Sequence, residues 1–258
     1  MKVIANPGLV FLVIGIAVLE IVLLLPPIHQ DQSYHSFADQ RKFWGVPNFW
    51  NVVSNFPFLA VGVFGIWLVL EARNSPSFLL SQERWPFLFL FLGVGLTGLG
   101  SAYYHLSPNN DWLVWDRLPM AIAFMAFFAS TIAERIRVEA GLWLLGPLVL
   151  LGVGSVVNWH QTDDLRLYAV VQFYPLAIIP VMLCLCPPRY TGTGFIWGTL
   201  GWYVAAKILE LHAVDHGIFA LGQFISGHTL KHLAAATGAF WMYLYVARRR
   251  PAAHQASS

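Results

Sequence analysis

Charge is the scarcest property of this chain: 11% of its 258 residues are Asp, Glu, Lys or Arg, against 57% hydrophobic residues. Soluble domains draw about a quarter of their residues from those four types, so a water-soluble globular fold is excluded and an integral membrane protein remains. The formal net charge of +2 is too small to attract nucleic acid. No basic block interleaved with aromatics appears, and the run Arg248, Arg249, Arg250 reads as a topology anchor. Cysteine is almost missing. Cys184 and Cys186 stand two apart in an apolar run, point to different faces of a helix and lack metal-ligand spacing, so they receive no role. The apolar and polar alternation of barrel strands is missing too, which leaves helices as the spanning elements.

What is present is a series of apolar runs of about 20 residues, the length that crosses a bilayer as a helix. Eight are expected, at 8–27, 49–70, 85–106, 112–133, 141–159, 166–187, 195–213 and 223–247, joined by short polar loops. The fold class is an all-α membrane bundle. Segment 8–27 follows Met1 and Lys2, but its apolar stretch is long and Pro26, Pro27, Ile28 and His29 do not suit a signal peptidase. It is read as a retained helix; if it is cleaved, seven remain. Counting Lys and Arg on alternate sides gives Lys2, Arg73, Arg84, Arg135, Arg137, Arg189 and the three terminal arginines on one side, nine against Arg41, Lys42 and Arg166 on the other. Both termini are therefore expected in the cytoplasm. His29, His35, His105, His160, His212, His216, His228 and His232 then fall at or near the opposite side, with His254 alone in the tail. That side is periplasmic in a bacterium and luminal in an internal eukaryotic membrane.

Ionisable groups in spanning helices are costly and mark function by default. His228 and His232 lie i and i+4 on one helix face and reach a single ion together. His105 closes the third segment, with Ser101 one turn before it, and Asp116 opens the fourth. Three imidazoles leave one position open on zinc, the pattern of a catalytic site rather than a closed structural one. In this reading His105, His228 and His232 are the zinc ligands and Asp116 is the base for water. Ser101 donates to the developing oxyanion, and the reaction is hydrolysis of an amide or ester whose carbonyl arrives from the lipid.

Plainer readings compete with each of these. A histidine in a membrane helix more often bonds a neighbouring helix than a metal, and Ser101 lies in GLTGLGS, a close-packing stretch. Arg117 could neutralise Asp116, while Lys207 and Glu210, three apart, could satisfy each other. Asp215 is placed to orient a ligand imidazole; Lys231 could meet a lipid phosphate or a buried carboxylate; His160, His212 and His216 are interfacial or supporting. Two further functions stay open: a receptor whose zinc bundle binds lipid or peptide without turnover, and a proton or metal transporter. The transporter ranks last because the third and eighth segments become apolar well before the cytoplasmic face.

The order Ser101-x3-His105, Asp116 in WDRLPM and His228-x3-His232, with FWNVVSNFPFLAVG at 49–62, resembles the alkaline ceramidase family. That family sits in a wider superfamily of membrane hydrolases that includes progestin and adiponectin receptors. The resemblance covers about 48–247. It implies a seven-helix bundle preceded by one extra helix, with 1–47 as amino-terminal helix and polar linker, 48–247 as hydrolase domain and 248–258 as cytoplasmic basic tail. It implies that the three histidines hold Zn2+, that Asp116 and Ser101 are catalytic, and that the substrate is ceramide or a ceramide-like N-acyl lipid. Ceramidases of this type also bind Ca2+ through an acidic, Trp-containing segment before the first helix. Here Asp31 and Asp39 stand in that stretch without the motif, and Asn48 occupies a position where a carboxylate would be expected, so Ca2+ is an open expectation. No partner beyond membrane and lipid substrate is indicated, and the oligomeric state is not legible.

Overall fold

The computed structural model describes residues 6–72 and 76–252; Lys2, Arg73 and His254 lie outside the described residues. The chain folds into helices α1 (Pro7–Leu24), α2 (Phe49–Val53), α3 (Phe56–Glu71), α4 (Arg84–Leu106), α5 (Asn110–Arg135), α6 (Val138–Thr162), α7 (Arg166–Leu185), α8 (Thr193–Leu209), α9 (His212–Ala220) and α10 (Gly227–Arg248). No strand forms among the described residues beyond two isolated bridges. Among the described residues, six helical stretches are long and apolar enough to cross a membrane: Pro7–Leu24, Phe49–Glu71, Ser81–Leu106, Asn110–Arg135, Val138–Thr162 and Arg166–Leu185.

Two of the eight expected spans fall outside that set. The segment expected at 195–213 stops at Leu209 after 17 residues, and the chain turns at Glu210 before restarting as α9. The segment expected at 223–247 begins only at Gly227, where the Ser226 hydroxyl caps α10 by accepting from Thr229 N at 3.1 Å. Its opening turns carry His228, Lys231 and His232, which dilute its apolar character. The span expected at 49–70 is interrupted between α2 and α3, at Ser54 and Asn55.

Helices α3, α4, α5, α7, α8 and α10 form a ring in which α10 closes back on α3. Helix α6 packs outside on α5 and α7, and α1 lies against α7, where the Tyr174 hydroxyl donates to the Phe11 carbonyl at 2.7 Å. The close approach of α4 to α5 follows from the sequence. Pro119 has no N–H for the carbonyl of Trp115 four residues back, and Gly100 leaves room for that carbonyl. A Cβ at Gly100 would stand 1.9 Å from Trp115 O. The same helix meets α3 at backbone distance, where a Cβ on Gly62 would stand 2.4 Å from the Gly95 Cα. Small residues thus draw together helices that the hydrophobic effect does not drive together in lipid.

Polar residues collect at the two ends of the ring. At one end Arg249 is buried among Tyr190, Phe78 and Phe87, with its guanidinium carbon 4.1, 4.5 and 4.6 Å from their ring centres. Its Nε donates to the Ser77 carbonyl at 2.7 Å, and Tyr245 donates to Glu134 beside it. Arg249, one of the arginines read as a topology anchor, is inserted into the bundle.

Gly100→Val should destabilise the fold by about 1–3 kcal/mol through overpacking, and in doing so separate Ser101 from Asp116. Thermal unfolding in detergent checks this; an unchanged melting temperature would show that α4 and α5 are not in backbone contact there.

Candidate metal and catalytic site

The other end of the ring holds the histidines. His105 sits in the last turn of α4, Asp116 in the second turn of α5, and His228 and His232 in the first two turns of α10. One ligand nitrogen from each of the three histidines lies within 4.8 Å of the others, and all three residues are buried. They are the one cluster among the described residues that suits a metal ion. His105 Nε2 and His232 Nε2 face each other at 3.3 Å. Two nitrogens bound to one tetrahedral zinc at about 2.0–2.1 Å are also separated by roughly 3.3 Å. His228 Nε2 and His105 Nδ1 are buried with no hydrogen-bond partner. Buried imidazole nitrogens without partners are costly in apolar surroundings, and a cation at the centre of the cluster would relieve the one on His228.

Ser54 sets the tautomer of His232. Its hydroxyl donates to the Asn51 carbonyl at 3.2 Å, so its oxygen is free to accept from His232 Nδ1–H at 2.7 Å. That leaves the Nε2 lone pair for a metal, the usual arrangement of a supported ligand histidine. Asn51 lies at the centre of a wider net: its Oδ1 accepts from the Thr229 hydroxyl at 3.0 Å and its Nδ2 donates to the Asp39 carbonyl at 3.2 Å.

Ser101 and Asp116 are both buried. Both line a cavity of about 190 Å3 that also reaches His232. Phe58, Leu90, Phe91, Phe127 and Met242 form its apolar part, and Arg117, Lys207, Glu210 and Lys231 its polar end. The five residues that the sequence singles out are thus brought to one place.

Other residues are placed differently. Asp215 does not bond a ligand imidazole: its Oδ1 accepts from the backbone N of His228 at 2.7 Å and its Oδ2 from Ala38 N at 3.0 Å, with the His216 ring 4.0 Å away. It caps α10 and pins the segment 25–48 that links α1 to α2. Arg117 is not hydrogen-bonded to Asp116; its Nη2 donates to Gln30 Oε1 at 2.6 Å. Lys207 pairs with Glu210 as expected, and Lys231 joins them with Nζ 2.7 Å from Glu210 Oε1. His160 meets Asp111 at 3.0 Å, and His212 stacks on His216 at the surface. The residues considered for calcium are engaged elsewhere. Asp39 is held bidentately by Arg41, Asp31 accepts from Ser33 N at 2.8 Å, and Asn48 donates to the His105 carbonyl at 2.9 Å. A carboxylate at position 48 could not make that last bond.

Sequence reasoning missed the strap formed by 25–48. Phe37 covers the histidines, its ring centre 4.7 Å from that of His105 and 4.5 Å from that of His228. His35 Nε2 donates to Asn110 Oδ1 at 2.9 Å, and its Nδ1 accepts from the Tyr104 hydroxyl at 2.8 Å. The Tyr34 hydroxyl donates to Glu210 at 2.9 Å. Burial pushes that phenol well above its usual range and the Glu210 carboxylate adds to the rise, so Tyr34 remains a donor. Ser54 alone was findable, since NVVSN precedes a proline-initiated helix as a natural break; Phe37 carries no local signal.

Metal content distinguishes these contacts. His228→Ala should purify without metal, whereas Ser54→Ala should bind it roughly 10–100-fold more weakly, the loss typical of removing a supporting partner. Affinity equal to wild type in Ser54→Ala would refute the tautomer assignment for His232.

Residues 44–190 match the family described as Ceramidase. The matched region contains Ser101, His105 and Asp116; His228 and His232 lie beyond it and are brought to it by the fold. A protein of Dictyostelium discoideum named "Putative alkaline ceramidase dcd3B" is 27% identical over 115 residues, covering 34% of this chain and 40% of that relative. The match therefore spans less than half of the relative's length. With the family match extending over more than half of the chain, this protein belongs to the ceramidase family.

Proposed function

We propose that the chain is a zinc-dependent amidohydrolase embedded in the membrane. It would cleave the N-acyl bond of ceramide or a ceramide-like lipid to a fatty acid and a long-chain amine. One observation carries the reading: three buried histidines converge, and His232 shares with Ser101 and Asp116 the wall of a largely apolar cavity. Zinc held by His105, His228 and His232 would supply Lewis acidity toward the amide carbonyl and toward a water. The apolar walls would take the acyl chain and exclude bulk water, which strengthens each electrostatic contact at the reacting carbon. Asp116 would accept a proton from the attacking water as the C–O bond forms, and return it to the nitrogen as the C–N bond breaks. Ser101 would donate to the carbonyl oxygen as negative charge gathers there.

Helix direction supports the expected topology. Arg84 opens the helix that ends in His105, Arg135 closes the helix that begins near Asp116, and Arg248 closes the helix that begins at His228. The arginines that end these three helices therefore lie at the end away from the histidines. In this proposal that end and both termini face the cytoplasm, and the site opens on the other side. Eight spans follow if α8 and α10 cross with the six stretches named above. The proposed domains are 1–47, 48–247 and 248–258.

Asp116→Asn should retain metal and lose fatty-acid release by about 10²-fold or more, and His228→Ala should lose both. The measurement is release from a panel of N-acyl and O-acyl lipids by metal-analysed protein. Release that survives chelation would end the mechanism, and metal without release from any lipid would favour a receptor.

A further inference from the structure

We infer that Lys231 and Glu210 form a subsite for a hydroxyl on the amine side of the amide, and that the primary hydroxyl of a ceramide-like lipid is the group it takes. The inference rests on the amidohydrolase reading and names the residues that select its substrate. Lys231 directly precedes His232 on α10, and both line the cavity together with Ser101 and Asp116. Its side chain keeps 14% of its surface accessible while its Nζ lies 2.7 Å from Glu210 Oε1. Its charge acts on Asp116 more strongly than that of Arg117, the neighbour of Asp116 in the chain. The Lys231–Glu210 pair therefore borders the space where the amide would be cleaved.

Both members of the pair have bonds to give. An ammonium carries three N–H donors and no acceptor, and Glu210 is the one ion-pair partner of Lys231 among the described residues. A carboxylate accepts about four hydrogen bonds; Glu210 Oε1 takes the Tyr34 hydroxyl and Lys231, while Oε2 takes Lys207. A hydroxyl matches both partners through one oxygen, which accepts from Lys231 while its proton goes to Glu210. An alkyl group in the same place would strip water from the pair and return nothing. An anion would meet two carboxylates on the same wall, Glu210 and Asp116. In a ceramide the hydroxyls stand on the carbons next to the one that bears the amide nitrogen, so a subsite beside Asp116 and His232 is within their reach. The secondary hydroxyl sits on the hydrocarbon chain. The primary hydroxyl ends the molecule, and it alone enters a charged subsite without drawing a chain in after it.

The test compares N-palmitoylsphinganine with N-palmitoyl-1-deoxysphinganine, which share the acyl chain and the amide and differ in the primary hydroxyl. Metal-loaded full-length protein should cleave the first with at least about tenfold higher kcat/KM, the value of one hydrogen bond to a charged group. Lys231→Met keeps the length of the side chain and removes its donors. It should shrink that ratio about tenfold at wild-type metal content, chiefly through KM, whereas Lys231→Arg should keep part of it. Equal kcat/KM for the two lipids in wild type, or an unchanged ratio in Lys231→Met, overturns the subsite; the wild-type ratio and Lys231→Arg decide the matter if Lys231→Met does not fold or load metal. If the wild type releases fatty acid from neither lipid, the hydrolase reading fails, and calorimetric binding of the same two lipids to wild type and Lys231→Met decides the subsite separately. Discrimination against N-palmitoyl-3-deoxysphinganine that depends on Lys231, when that against the 1-deoxy lipid does not, would overturn the assignment to the primary hydroxyl.

Discussion

The site depends first on how closely α4 and α5 approach. Gly100 has no side chain, Trp115 has a carbonyl that Pro119 leaves without a helical partner, and the two backbones meet there. Ser101 and Asp116 are the next residues on either helix, so their side chains are brought to the wall of one cavity because the backbones meet. His105, one turn after Ser101, then projects toward the opening turns of α10. Once the two helices are fixed, the other contacts supply orientation: Ser54 for the ring of His232, Asp215 for the start of α10, Phe37 for the faces of His105 and His228.

A bilayer leaves a polar group few options, since its interior offers no water to bond. This chain meets the constraint by confining its buried ionisable groups to the ends of the ring. At the Arg249 end Glu134, Glu83, Arg189 and Arg249 are paired with one another and with tyrosine hydroxyls and are packed among aromatic rings. At the histidine end Ser101, Asp116, Arg117, Lys207, Glu210, Lys231 and His232 line a cavity. Similar residue types are packed around one another at one end and border the cavity at the other.

Much of this was legible in the sequence. Composition alone gave the membrane class, and apolar runs located most helices within a few residues, because a long spanning helix is set by length and hydropathy. The i and i+4 spacing of His228 and His232, and the placing of Ser101, His105 and Asp116 at segment ends, identified the cluster. Boundaries near the polar end were harder to read. The turn at Glu210 and the late start of α10 at Gly227 come from tertiary contacts, among them the Asp215 cap, that no local pattern announces. Residues 25–48 looked like a linker because their polar side chains find partners more than 60 residues away, as His35 does with Tyr104 and Asn110. Asp215 was assigned to the right neighbourhood and the wrong atom, since sequence spacing does not separate a backbone amide from an imidazole.

The strap also sets a timescale. Phe37 lies against two of the three histidine rings, and its segment is fastened at Gln30, Tyr34, His35 and Ala38 to three helices and the turn between α8 and α9. An ion bound to those histidines would be covered on the Phe37 side while the strap is seated. Release on that side would require a chain segment to peel away as a unit, not only metal–nitrogen bonds to break. Exchange of that ion by that route would report local unfolding, slow where the strap is intact and quickened by any change that loosens its fastenings.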